Sequence, residues 1–152
     1  MTTTEHRVPE VEAAVRDTLA AHKSLYLATA GSSGPWAGGV YFAEVDPFTL
    51  AVVLEERGRT LAAVRENPQV AVVVSTGSPA QPFLQARAEA EVVTGERDAD
   101  VRARLLAKVP ECAPFLGFPI AAVHLSVRAW RITDLDRGWL PGRELAAVTD
   151  PR

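Results

Sequence analysis

The chain has 152 residues, 47% apolar and 23% charged, which is one globular domain's worth of sequence with enough length to bury a core unaided by metals or disulfides. Sixteen basic against nineteen acidic side chains leave a net charge of −3, so no overall basic field exists to hold nucleic acid or an anionic membrane surface. One cysteine, Cys112, excludes an internal disulfide and any multi-cysteine metal site. The polar start (Met1 to Arg7) lacks a signal peptide's apolar core, and no apolar run reaches the ~18–20 residues that span a bilayer. The expectation is a single cytoplasmic domain over residues 1–152, with no membrane and no nucleic-acid partner.

The first element reads as a helix over about residues 8–22. Val8, Val11, Val15 and Leu19 recur at three- and four-residue steps, Pro9 suits a first turn, and Glu10 and Glu12 sit where the helix dipole favours acids. Strand-like runs follow at Ser24–Ala30, Trp36–Val45, Leu50–Leu54 and Val70–Ser75, separated by Gly31-Ser32-Ser33-Gly34, by Asp46-Pro47-Phe48-Thr49 and by a short helix at Thr60–Glu66 that Asn67-Pro68 stops. A longer run, Phe83–Val93, alternates: Leu84, Ala86, Ala88, Ala90 and Val92 point one way, and Gln85, Arg87, Glu89 and Glu91 the other. A helix is expected over Asp98–Val109, with Arg102 and Arg104 on its solvated face, then a proline-rich loop, Pro110–Pro119. A last strand, Ala121–Thr133, directs Val123, Leu125, Val127 and Ala129 inward and His124, Ser126, Arg128 and Trp130 outward. The tail over residues 138–152, with Pro141 and Gly142, reads as weakly ordered.

This is a mainly β chain with a few helices. Six mostly antiparallel strands with short early turns point to a small closed or nearly closed barrel with its core over about residues 21–134, since closure removes the exposed edges that so many β-branched runs would otherwise create.

The most informative segment is Glu55-Glu56-Arg57-Gly58-Arg59-Thr60, which opens into the short helix. Two guanidinium groups, a glycine and a hydroxyl at a helix N-terminus suit a phosphate monoester, because unpaired amides attract anions and arginine grips phosphate with two parallel hydrogen bonds. In the competing reading Thr60 merely caps the helix while Arg57 and Arg59 pair with Glu55 and Glu56 in solvent.

The order of the pieces carries more. Leu27-Ala28-Thr29-Ala30, Gly34-Pro35-Trp36-Ala37, the strand through Val40-Tyr41-Phe42, Arg59-Thr60, Asn67-Pro68-Gln69-Val70-Ala71 and Phe83-Leu84-Gln85 together resemble the FMN-binding split-barrel family of pyridoxamine 5′-phosphate oxidase and its flavin- and deazaflavin-dependent relatives. The resemblance implies a six-stranded antiparallel split β-barrel, a homodimer with the cofactor at the subunit interface, and a flavoprotein-type oxidoreductase acting on a small organic molecule. It places the cofactor phosphate on Arg57, Arg59 and Thr60, although many members carry lysine where Thr60 stands. It sets the ring beside Gly38-Gly39-Val40-Tyr41, so that Gly39, Val40 and Tyr41 become binding candidates, and it adds Gln85. The two glycines could let a planar ring approach the backbone, or they could mark a bulge. FMN is the first cofactor candidate and F420 the second.

Other constellations are poor. His6, His22, His124 and Cys112 lack metal-ligand spacing, so no metal is expected. Some split-barrel relatives bind haem, which would make His124 an axial ligand, but an ordinary surface histidine is the favoured reading. Trp36 reads as a core or interface filler, and Trp130 and Trp139 as subunit contacts. No catalytic acid or base stands out. The alternatives to an oxidoreductase are a non-catalytic module that binds flavin, deazaflavin or haem, and a cofactor-free dimeric barrel.

Overall fold

A computed structural model describes residues 9–148. Val8 and His6, together with the last four residues of the expected tail, lie outside the described residues. Helix α1 (Pro9–Ala21) buries Val11, Ala14, Val15, Thr18 and Leu19, the stripe expected from its spacing. Nine strands follow, interrupted by two further helices: β1 (Ser24–Gly31), β2 (Gly34–Tyr41), β3 (Ala43–Asp46), β4 (Thr49–Glu55), α2 (Arg59–Glu66), β5 (Gln69–Val74), β6 (Phe83–Val93), α3 (Glu96–Lys108), β7 (Ile120–Val127), β8 (Ala129–Asp134) and β9 (Trp139–Ala146). One 3-10 turn, Pro110–Gly117, links α3 to β7, and another, Leu135–Arg137, links β8 to β9.

All the strand pairings are antiparallel, in the order β2-β1-β5-β6-β7-β4-β3, and the sheet curls into a split barrel. Strand β6 is shared: Phe83–Gln85 pair with β8 and Ala88–Val93 with β7, so one strand belongs to both walls. Its inward residues are small: Ala88 and Ala90 are buried, and Ala86 packs partly buried against the same core. The main core fills the barrel with Leu25, Leu27, Leu50, Val52, Val72, Leu84, Val123, Leu125 and Trp130, sealed by Val15 and Leu19 of α1 and Leu61 and Val64 of α2. A second cluster lies outside the sheet, where α3 and the first 3-10 turn bury Val101, Leu105, Val109 and Cys112 against Ala43, Ala51, Val93 and Ala122.

Six expected strands become nine for physical reasons. The run Trp36–Val45 divides at Phe42, whose ring is fully buried and whose amide, bonded to the Lys23 carbonyl at 3.0 Å, extends the β1–β2 register by one residue before the chain passes to β4 at Ala43. The run Ala121–Thr133 breaks at exposed Arg128, and the extra residue inverts the alternation beyond it. Trp130 therefore points inward, not outward: it is fully buried, and its Nε1 donates to the Pro47 carbonyl at 2.6 Å. The tail expected to be weakly ordered from Gly138 instead forms β9, paired with β8 and anchored by buried Trp139 and Leu145. Trp130 and Trp139 are thus core residues of the monomer and not subunit contacts.

Gly142 sits where β9 crosses β8 most closely, and a Cβ there would meet the Ile132 carbonyl oxygen at 2.6 Å. Gly142→Ala should therefore push β9 off β8 and lower unfolding stability by about 1–3 kcal/mol, the usual cost of overpacking. A denaturant titration checks this, with an unchanged midpoint as the contrary result.

Candidate functional site

The site is built from the end of β4. The Glu56 amide donates to the Pro119 carbonyl at 2.9 Å, the Gly58 amide closes a turn on the Glu55 carbonyl at 3.0 Å, and α2 begins. Gly58, in an extended conformation, is the N-cap, and no side chain caps the helix. Thr60 is one residue inside the helix, so the reading in which it caps is set aside. The far end of α2 is tied down: Asn67 Nδ2 donates to the Ala30 carbonyl at 3.2 Å, and Glu66 Oε1 accepts from the Ser32 amide at 2.6 Å. Those bonds from Ser32 hold the Glu66 carboxyl below its usual range. The helix is thus fixed by its C-terminus to the β1–β2 turn, while its amide end stays open.

Neither arginine is neutralised by its acidic neighbours among the described residues. Glu56 turns instead to Arg65, at 3.8 Å. The Arg59 guanidinium lies 3.8 Å from the ring centroid of Trp36, a cation–π stack that fixes its position without consuming its charge. Trp36 is 41% exposed and serves as a platform rather than the filler expected of it. Arg57 is exposed and has no ion-pair partner among the described residues.

Beside this charged end lies an unclosed seam. Strand β2 pairs only with β1, and β3 covers the edge of β4 only over residues 49–51. Strand β2 therefore approaches β4 with no ladder between them, and both present unpaired backbone groups to the gap. The β1–β2 register runs unbroken from Ser24↔Tyr41 to Gly31↔Gly34, so the glycine pair marks no bulge. A Cβ at Gly38 would meet nothing within 4 Å, and one at Gly39 only the Leu25 carbonyl at 4.0 Å. Open space flanks both. Val40 packs against the barrel core and offers the gap only its backbone, while half-buried Tyr41 stands at the end of the edge with its ring 5.8 Å from Phe115.

Gln85 is placed elsewhere. It lies on the outer face of β6, between Val73 and Arg131, in a groove of about 940 Å³ that also holds Arg87, Glu89, Ser126, Arg128 and Glu144. Within one chain the fold does not bring Gln85 to Arg57, Arg59 and Thr60. Arg102, expected on a solvated face, is a brace: it pairs with Asp98 and donates to the carbonyls of Leu116 and Ile120, each at 3.3 Å. The sequence carried no signal for that role, because the i,i+4 spacing to Asp98 is what a solvated helix face also shows.

The two described histidines, His22 and His124, are committed. Arg97 can only donate, so at 3.4 Å it makes His124 Nδ1 the acceptor and leaves the ring proton on Nε2, which is buried with no hydrogen-bond partner. His22 Nδ1 donates to the Thr18 carbonyl at 2.8 Å, and its Nε2 is likewise buried. Neither ring presents a nitrogen to an external ligand. Among the described residues no three His, Cys, Asp or Glu side chains are placed to hold a metal ion, and no helix is long and apolar enough to cross a membrane.

A barrel split beside a helix N-terminus defines a class, and the sequence model that matches residues 11–133 is that of pyridoxamine 5′-phosphate oxidase. The chain belongs to that family of split-barrel proteins. No curated protein matches it in sequence. Among solved structures it is similar to a haem-binding protein from Mycobacterium smegmatis, at 17% identity and a TM-score of 0.77 over 93% of this chain and 60% of that one. It is also similar to HutZ, the haem storage protein from Vibrio cholerae (20% identity, TM-score 0.62, 78% and 88% covered). A third is a general stress protein 26-related member of the pyridoxinephosphate oxidase family from Clostridium acetobutylicum (13%, TM-score 0.68, 90% and 92%). The chain spans about three-fifths of the Mycobacterium protein's length, and at these identities the likenesses establish the fold alone.

Burial and then the Arg97 charge hold His124 below the ordinary histidine value of 6.5, with Glu91 opposing them. The folded state thus prefers the neutral ring, and stability is lost as pH falls below the unfolded-state pKa. NMR titration should give a midpoint below 6.5, raised by Arg97→Gln and lowered further by Glu91→Gln. Identical midpoints in all three proteins would contradict this arrangement.

Proposed function

We propose that this chain is a flavin- or deazaflavin-dependent oxidoreductase acting on a small organic molecule, a homodimer that holds the phosphate of FMN, or of F420, at the start of α2. The carrying observation is the uncompensated charge of Arg57 and Arg59 beside an uncapped helix end. Membership of the pyridoxamine 5′-phosphate oxidase family supports the same reading.

The residues present fit such a group. Arg57 is free to fork onto phosphate oxygens, and Arg59, preset by Trp36, adds a second guanidinium. The Thr60 hydroxyl and the first amides of α2 can donate to the remaining oxygens. Gly38 and Gly39 leave room for a flat ring along the open edge of β2, where the backbone of Val40 is within reach and Tyr41 closes the far end against water. Gln85 faces another groove, so its share in the site depends on a second subunit. A bound flavin or deazaflavin supplies the hydride chemistry, and the protein supplies position, electrostatics and exclusion of water. That division of labour suits a cleft with no acid–base pair.

A haem-binding module is the second reading, favoured by the descriptions of the Mycobacterium and Vibrio neighbours. The buried ring nitrogens of His22 and His124 argue against either as an axial ligand.

The absorbance spectrum and mass of whatever co-purifies separate these readings, with flavin bands expected and a Soret band counting for haem. Arg57→Ala and Arg59→Ala should each weaken FMN binding roughly ten- to a hundredfold, the worth of a charge-assisted hydrogen bond, while the thermal melt stays unchanged. Wild-type affinity in both variants would place the anion elsewhere. Sedimentation should give twice the 16.3 kDa chain mass, and a monomer would contradict the dimeric site.

A further inference from the structure

We infer that Tyr41, Phe115 and Phe118 form the docking face for a planar, uncharged aromatic substrate, a proposal that rests on the cofactor reading above and names the substrate class it serves. The three rings form a continuous series. Tyr41 meets Phe115 edge to face at 5.8 Å and 65°, and Phe115 meets Phe118 at 6.4 Å and 64°. Phe115 is 50% and Phe118 59% exposed. In such contacts the edge of one ring meets the face of its neighbour, and the half-exposed Phe115 and Phe118 keep outer surface against which a further ring can pack.

These side chains are presented by a braced segment. Cys112 is buried beneath the 3-10 turn and Leu116 is partly buried against the outer cluster. Arg102 holds the carbonyls of Leu116 and Ile120, the Phe118 amide bonds the Phe115 carbonyl at 3.2 Å, and Pro119 accepts from Glu56. The exposure of two phenylalanines is therefore imposed by the fold.

Position decides the occupant. Tyr41 ends the open edge of β2, two residues beyond Gly39, and the Pro119 carbonyl is bonded one residue before Arg57. The aromatic segment thus runs beside the seam from its ring end to its phosphate end, continuous with the cofactor cleft. Charge then narrows the chemistry. Glu111, in the same turn, is paired with Lys23 at 2.9 Å, and Lys108 is paired with Glu44 at 2.5 Å. Those pairs match the charges of the turn and of the helix before it, and the free guanidinium at the far end of the segment, Arg57, is the one assigned to the cofactor phosphate, so the rings themselves are left to select by shape and apolar contact.

Equilibrium dialysis of the full chain, with and without FMN, against the uncharged naphthoquinone menadione and its anionic sulfonate tests the proposal. Menadione should bind saturably and more tightly than the sulfonate, and Phe115→Ala/Phe118→Ala should weaken it by roughly tenfold, about 1.4 kcal/mol. FMN affinity and sedimentation should stay at wild-type values. Phe118→Ala alone, at the most exposed of the three rings, should show part of the loss and guards against misfolding of the double variant. No saturable binding, or equal menadione affinity in all proteins, overturns the inference. So does a double variant with weakened FMN binding, which would give the rings to the cofactor, or one that loses its dimer, which would give them to the subunit interface. If wild-type protein ignores FMN while menadione binding still depends on the phenylalanines, the cofactor reading fails and the aromatic face stands.

Discussion

Strand β2 is hydrogen-bonded on one side only, and much of the molecule's character follows from that. At Phe42, whose ring enters the core, the chain leaves its ladder with β1 and passes to β4, so β2 stays paired with β1 and only β3 pairs with β4. What remains is a barrel with a seam, along which the edges of β2 and β4 carry unpaired N–H and C=O groups. Backbone groups of that kind must meet water, a ligand or another chain. Helix α2, anchored by Asn67 and Glu66 at its far end, delivers its unpaired amides to the same place.

The electrostatics of that corner depend on where nearby acids turn. Glu56 is drawn to Arg65, and Glu66 is occupied by the Ser32 amide. Arg57 is left uncompensated, and Arg59 is parked on Trp36. One guanidinium is oriented before any anion arrives and the other adapts to it. Pre-ordering the first lowers the conformational cost of binding.

Local features of the fold were legible where they depend on local pattern. The alternation of Phe83–Val93 identified the core face of β6, the 3.6-residue spacing identified α1, and Arg57 to Thr60 was correctly placed at a helix start. The joints were not legible. Phe42 changes the pairing partner of the residues that follow it, and Arg128 changes which side of the sheet they occupy, both through packing across the barrel. Trp130 therefore faces the core where alternation alone turns it outward, and Trp139 is buried within the monomer. Strand β9 was missed because Pro141 and Gly142 carry a loop's signature. Gly142 is required there by the Ile132 carbonyl, a contact 10 residues away in sequence that no local pattern announces. For the site, the two arginines could be read from the segment itself, whereas the absence of Gln85 from their neighbourhood and the bracing role of Arg102 emerge only from the closed sheet.

The proposed function requires that a dianionic phosphate is gripped where β4 gives way to α2. Comparing the affinity of the protein for FMN with its affinity for riboflavin, the same ring system without phosphate, measures that grip directly. FMN should bind at least tenfold more tightly, a difference of about 1.4 kcal/mol, and the gap should narrow as salt is raised. Riboflavin binding as tightly as FMN would show that the phosphate meets no such site.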